Sequence, residues 1–420
     1  MRKGKYTKTQ NPEGWGTSTK LIRGGTKRSE HGETSEAIYL TSGYVYDDPE
    51  SAERRFAGEE DGFVYGRYGN PTVAMLEERF RLLVGAEAAY AVASGMAAAW
   101  GALACQLKTG DHVVASKDLF GSNYQIITNL LPRWGITHTL VSGNTAADWR
   151  AAMRPETKVV FFETPSNPLL EIQDIAMICD IAHKGGAMVI VDNVFATPIL
   201  QKPIELGADI VFYSNTKHTD GQGRVFGGMI LSTTKFKEEL LKPFLRHTGP
   251  TLSPFNGWVL LKGLETMKLR VEASAKAAAF LADEIVRLPQ IERIYYPHHD
   301  SHPQAALARK QMRMGGTMLS FDVKGGKEGA FNLLRRLKII DISNNLGDAK
   351  SLITHPATTT HKNIGPEARA LMGIKDGCLR LSVGLEDVED LLGDIKQALA
   401  VNILGLRNPK GLKAQARSWK

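Results

Sequence analysis

Lys217 is the residue whose setting most invites chemistry. It stands in Ser214-Asn215-Thr216-Lys217-His218, directly after Ala208-Asp209-Ile210-Val211-Phe212-Tyr213, an apolar, β-prone run short enough to be a buried strand. At the carboxyl end of such a strand a lysine can point into a crevice, where partial desolvation lowers its pKa and frees the amine to attack a carbonyl. Upstream, Ala187-Met188-Val189-Ile190-Val191 has the same pattern and ends in Asp192-Asn193. As neighbouring parallel strands, the two runs would bring Asp192 and Lys217 to the sheet edge at which open α/β folds bind ligands. An acid beside such a lysine has a specific use: it keeps a pyridine nitrogen protonated, so that the ring withdraws electrons from a carbanion.

A phosphate-bearing ring would also need an anchor. Residues 89–93 read as a strand, Ser94-Gly95 as a tight turn and residues 96–107 as an alanine-rich helix. Free amides near Gly95 and Met96 would form an anion site at that helix start, with the hydroxyls of Ser214 and Thr216 on the other side. No GxGxxG or GxxxxGK[ST] pattern competes for the role. Phe120, in Asp118-Leu119-Phe120-Gly121-Ser122, follows the strand-like residues 112–116 and could stack on a planar ring.

In order and spacing, Ser94-Gly95-Met96, Phe120, Glu163-Thr164-Pro165-Ser166-Asn167-Pro168, Asp192-Asn193 and the Lys217 segment resemble the Cys/Met-metabolism family of pyridoxal-phosphate enzymes. The likeness extends along most of the chain. It implies an α/β, aspartate-aminotransferase-like fold (fold type I), with a mainly parallel central sheet, an N-terminal arm and a smaller C-terminal α/β domain. It also implies pyridoxal 5'-phosphate as cofactor, with Lys217 as its imine lysine, Asp192 as its pyridine partner, Gly95 and Met96 as amides under the phosphate, and Ser214 and Thr216 as phosphate hydroxyls. Asn167 matches a contact to the ring hydroxyl. Tyr65 and Arg67, in Tyr65-Gly66-Arg67-Tyr68-Gly69-Asn70-Pro71, match a pair that reaches the phosphate of a neighbouring subunit, so a homo-oligomer is expected, at least a dimer and by family likeness a dimer of dimers. Arg380, in Leu379-Arg380-Leu381-Ser382-Val383-Gly384, matches the residue that grips the substrate α-carboxylate, a task suited to a bidentate guanidinium.

Departures from the family pattern narrow the expected reaction. Phe120 stands where many relatives carry tyrosine, which leaves proton traffic to Lys217 and Tyr65. Ser122 stands where methionine lyases have a reactive cysteine, and Lys350 where γ-lyases tend to have glutamate. The segments after Lys217, from Asn345 to Ser351 and from His355 to His361 are similar to those of the sulfhydrylase branch that uses O-succinylated homoserine. The resemblance thus implies γ-replacement on an O-acylhomoserine, with sulfide displacing succinate to give homocysteine in methionine biosynthesis. Cystathionine γ-synthase and O-acetylhomoserine sulfhydrylase chemistry are the alternatives. Ser351 is expected at the substrate, and Lys350 or Arg224 to read the succinyl carboxylate, unless these two are solvent-facing or phosphate-side charges. Readings from another class are a pyridoxal-phosphate scaffold without turnover and a basic protein whose ends bind RNA.

The chain of 420 residues is 43% hydrophobic and 23% charged, the balance of an ordinary globular protein. Its three cysteines, Cys105, Cys179 and Cys378, form neither a disulfide framework nor a metal-ligand spacing. With no signal segment and no apolar run near the ~20 residues of a membrane span, a cytoplasmic enzyme is expected. The net charge of +7 gathers at Met1-Arg2-Lys3-Gly4-Lys5 and residues 407–420, which read as solvated ends, since no aromatic-interleaved nucleic-acid module accompanies them. His218, His355 and His361 are expected to hydrogen-bond or pack rather than hold metal, and Glu163 to shape the loop before Asn167.

Organisation divides into three parts. Residues 1–70 lack periodicity and suit an extended arm on a neighbouring subunit. Residues 71–264 alternate strands (158–162 and 228–231 among them) with helices (124–134 and 174–183) and make the cofactor domain. Residues 265–420 make the C-terminal α/β domain: a long helix over 265–288, strands over 317–323, 338–342 and 378–383, a helix beginning near Glu328 and another over 388–406.

Overall fold

The computed structural model describes residues 12–400; both basic ends and the last turns of the helix expected to reach residue 406 lie outside them. Seven strands form the central sheet: β1 (Ala88–Val92), β2 (His112–Ser116), β3 (Thr137–Val141), β4 (Thr157–Glu163), β5 (Met188–Asp192), β6 (Ile210–Ser214) and β7 (Gly228–Ser232), in the order β1-β7-β6-β5-β4-β2-β3. All are parallel except β7, which runs antiparallel to both neighbours. The apolar runs follow from burial on both faces. Val160, Phe162, Val189, Val191, Val211 and Tyr213 enter one core, while the alternate residues Val159, Phe161, Ile190, Ile210 and Phe212 enter the core on the opposite face. Each large apolar side chain so buried contributes about 1.5–3 kcal/mol, and the strict alternation fixes the direction in which the strand ends present their polar residues.

A second sheet, β10-β11-β12-β9-β8, is built from β8 (Ile291–Tyr295), β9 (Met318–Val323), β10 (Asp341–Ile342), β11 (Leu352–Thr354) and β12 (Cys378–Ser382). The strand expected over 338–342 shrinks to two residues, and β11 takes the inner place beside β12. β3 and β8 were not expected; both carry polar residues at intermediate or exposed positions, which weakens their apolar signal.

The two sheets are joined by one 32-residue helix, Pro254–Ile285, that starts before the expected residue 265. Pro254 opens it, because the first helical turn needs no amide donor from proline. Met267, Val271 and Ala275 of this helix belong to the central core, whereas Ala278, Leu281, Ala282 and Ile285 belong to the C-terminal one. The domain junction expected at 264/265 therefore falls inside a helix.

The arm is not wholly extended. It contains α1 (Thr17–Arg23) and α2 (Pro49–Ala57), the latter capped by Asp48, which accepts from the Ser51 amide at 2.6 Å. Its tether is Glu36, buried against Arg79 of α3 (Pro71–Val84), with Lys262 at 3.1 Å and the Glu36 carbonyl accepting from Trp258 Nε1 at 2.8 Å. The fully buried Arg79 also donates to the Gly24 carbonyl at 2.8 Å. Arg79 and Lys262 together hold the Glu36 carboxyl down, at about 2, against the opposing effect of burial.

Glu36→Gln is expected to lower stability by about 3 kcal/mol at neutral pH, because it leaves a buried guanidinium with only the more distant Glu265, at 3.7 Å, as counter-charge. A carboxyl with a depressed folded-state pKa stabilises above its unfolded value and loses that contribution as it protonates. The gap between wild type and variant should accordingly narrow as pH falls from 4.5 toward 2, measured by urea unfolding at a series of pH values.

Candidate active site

A cleft of about 580 Å³ opens at the carboxyl edge of the central sheet. Pairing of β5 with β6 in parallel register, Asp192 opposite Phe212, places Asp192 and the turn carrying Lys217 side by side, and both line the cleft. Lys217 follows the last residue of β6 in a tight turn closed by its amide on the Ser214 carbonyl at 3.2 Å. Its Nζ donates to Asn345 Oδ1 at 2.6 Å. Burial, with the Arg380 charge second, pushes its pKa down to about 8.

Asp192 is buried and accepts two hydrogen bonds, from Asn123 Nδ2 at 2.9 Å and from the Val194 amide at 3.1 Å. Burial raises its pKa, and the two donors work in the opposite direction. Opposite it in the β4–β5 register stands Glu163, whose Oε2 accepts from the Phe120 amide at 2.8 Å. Burial first and the Asp192 charge second push Glu163 well up. Two acids in one dry pocket cannot both ionise cheaply, and the Asp192 charge is part of what pushes Glu163 up.

The phosphate-type cradle lies at the start of helix α4 (Gly95–Ala104). Ser94 caps it by accepting from the Ala97 amide at 3.1 Å, while the amides of Gly95 and Met96 are first-turn donors with no intrahelical acceptor, and both residues line the cleft. Only glycine fits at 95: a Cβ there would lie 2.5 Å from Ser214 Cβ. Ser214 and Thr216 line the same side, as does Phe120. Arg380, centred in β12, reaches the cleft from the second sheet. Its Nη1 donates to Asn167 Oδ1 and its Nη2 to the Asn344 carbonyl, each at 2.9 Å, which leaves Nε buried and unpartnered.

Sequence reading did not find Asn123, Asn345 or the cleft-lining Phe195, Phe226, Thr359 and Thr360. Asn123 sits five residues after Asp118 in a segment already singled out for Phe120, so its neighbourhood was a signal; nothing local pairs Asn345 with a lysine 128 positions away.

Three expected substrate residues lie outside the cleft lining. Lys350 is exposed and pairs with Asp348 at 3.3 Å. Arg224 pairs with Asp220 at 2.9 Å and takes the Asp220 carbonyl as well. Ser351 is fully buried, its hydroxyl donating to Glu386 at 2.8 Å and accepting from the Gly384 amide at 2.9 Å. Each is held by a partner close to it. Tyr65 and Arg67 are also absent from the cleft of their own chain. Tyr65 is 41% exposed, and Arg67 packs over Tyr65 and Tyr68 and donates to the Arg246 carbonyl.

Residues 18–400 match the family described as Cys/Met metabolism PLP-dependent enzyme. The chain belongs to that family. An O-succinylhomoserine sulfhydrylase of Mycobacterium tuberculosis is 51% identical over 93% of this chain and 97% of its own. An L-methionine gamma-lyase of Porphyromonas gingivalis is 42% identical over 91% and 97%. Among solved structures, metB from Corynebacterium glutamicum superposes with a TM-score of 0.87 at 33% identity, over 93% of this chain and 99% of that one. The fold is thus the fold type I architecture of pyridoxal-phosphate enzymes, and pyridoxal 5'-phosphate is the cofactor.

The cleft fits that cofactor. It offers helix-start amides and hydroxyls for a phosphate, a buried acid for a ring nitrogen, an aromatic ring for a planar face and an amine of lowered pKa for an aldehyde. If Lys217 is that amine, capture of pyridoxal phosphate by cofactor-free protein requires its neutral form. The capture rate should rise with pH through a midpoint near 8 and level off above it, in contrast to the 10.5 of an ordinary lysine. Stopped-flow absorbance measures this directly, and borohydride should fix the cofactor on Lys217 and on no residue of Lys217→Ala.

Proposed function

We propose that this enzyme replaces the γ-acyloxy group of O-succinyl-L-homoserine with sulfide, giving L-homocysteine and succinate. The observation that carries this reading is the meeting of Lys217, Asp192 and Arg380 in one cleft, in a chain closer in identity to a sulfhydrylase than to the γ-lyase compared with it. Ser122, at the position where a thiol would favour the lyase reaction, supports the same choice.

In this reading Gly95, Met96, Ser214 and Thr216 hold the cofactor phosphate, Phe120 covers the ring, Asn167 meets the ring hydroxyl and Asp192 holds the ring nitrogen protonated. When bound, pyridoxal phosphate supplies an aldehyde that takes the substrate amine and a ring that stores the electrons released at Cα. Arg380, which lines the cleft, grips the α-carboxylate, which fixes the Cα–H bond relative to Lys217. Lys217 Nζ, neutral above about 8, would take the Cα proton, pass it on so that the amine is free again, then take one from Cβ, and return protons at the end. The net change breaks Cγ–O and forms Cγ–S, with the sulfide proton balanced by the succinate released. Tyr65 and Arg67, free of their own cleft, complete the phosphate site of a second subunit, and we place the enzyme as a homo-oligomer, a dimer of dimers, in the cytoplasm. Its three cysteines are free, as a reducing compartment favours; no helix among the described residues is long and apolar enough to cross a membrane.

A matrix of O-succinyl and O-acetyl esters against sulfide, cysteine and methanethiol tests the substrate. The expected outcome is the highest kcat/KM for the succinyl ester with sulfide. Cystathionine formed faster from cysteine would move the enzyme to the γ-synthase reading, and cofactor absorbance without product from any ester would make it a scaffold. Arg380→Lys should lower kcat/KM by an amount corresponding to about 1.5–3 kcal/mol, the range for a hydrogen bond to a charged group, and a value unchanged from wild type would remove Arg380 from the clamp.

A further inference from the structure

Glu163 has no part in the reaction as derived above, yet it is a buried acid that lines the cleft. It closes β4, and parallel pairing sets it beside Asp192 at the end of β5. From this place it faces two segments at once. Its Oε2 accepts the Phe120 amide at 2.8 Å, a bond across 43 positions that fixes the loop after β2. The Asn167 amide, four residues further along its own chain, also favours its ionised form. Asn167 in turn is held from two sides: its Oδ1 accepts from Arg380 Nη1 at 2.9 Å, and its carbonyl accepts from His361 Nε2 at 3.0 Å. A continuous series of contacts runs from the aromatic cover through one carboxyl group to the guanidinium.

We propose that Glu163 is a positioning residue that ties Phe120, on one face of the cofactor, to the Asn167–Arg380 pair that orients both cofactor and substrate carboxylate. The bonding explains why an acid stands there although the pocket already holds Asp192. A carboxyl group accepts amides from two directions, whereas a hydroxyl of serine or threonine is too short to reach across to the β2 loop. Burial and the nearby Asp192 charge push Glu163 up, against the Arg380 charge, which weakens its hold on that charge and favours an anionic ligand there. The inference rests on the cofactor assignments proposed above, though not on which homoserine ester is used.

Wild type, Glu163→Gln and Glu163→Ala, each stripped of cofactor, are titrated with pyridoxal phosphate, with affinity read from absorbance and ring orientation from visible circular dichroism. Glu163→Gln keeps an acceptor for one of the two amides and should bind a few-fold weaker than wild type with the same dichroism, while Glu163→Ala should bind about tenfold or more weaker and with altered dichroism. Should Glu163→Ala fail to fold, Glu163→Met, which fills the volume without an oxygen of that kind, takes its place with the same expectation. Wild-type affinity and dichroism in the alanine or methionine variant would overturn the proposal. So would a loss in Glu163→Gln as large as in Glu163→Ala, or a fall in thermal stability of the cofactor-free variant with no change in dichroism. If wild type itself captured no cofactor on Lys217, the site assignment would fail, a result distinct from equal binding by all variants, which defeats the tie alone.

Discussion

Burying an ammonium group costs free energy unless it gives up its proton, and at Lys217 burial and the Arg380 charge together bring the amine to about 8. The remainder of the site answers this one desolvation. A dry edge is needed, and the sheet supplies it because β4, β5 and β6 are covered on both faces by apolar cores. The same dryness raises two carboxyl groups and lowers a guanidinium, Arg380, to about 10. Each acid has two donors, Asn123 and Val194 for Asp192 and Phe120 and Asn167 for Glu163, and the Asp192 charge is what pushes Glu163 up beyond the effect of burial.

The parts of this arrangement that were legible beforehand are those whose signal is local. The apolar runs before Asp192 and Lys217 each announce a strand, and the parallel pairing of strands follows from the alternation with helices. Ser94-Gly95 announces a helix start, and the close approach of Ser214 explains why no larger residue stands at 95. Arg380, a charge within an apolar strand, was legible only through family likeness, because a strand pattern alone does not say that its guanidinium crosses to the other sheet.

What sequence could not give depends on contacts between distant segments or on competition from near ones. Asn345 meets Lys217 across 128 positions with nothing local to pair the two, and Asn123, which meets Asp192 across 69, had only the neighbourhood of Phe120 as a signal. That Lys350 and Arg224 lie outside the cleft lining has the opposite cause. Asp348 and Asp220 stand two and four residues before them, near enough to capture each charge, and that spacing was visible in the chain.

The helix Pro254–Ile285 has a consequence of its own. It donates side chains to both cores, so the protein has no seam: severing the chain anywhere along that stretch would strip an apolar stripe from each half and leave neither with a finished interior. Arg380 and Asn345 come from beyond the helix and Lys217 and Asp192 from before it. The catalytic crevice therefore exists only in the undivided polypeptide, and its two walls are held in fixed relation by a shaft about 48 Å long.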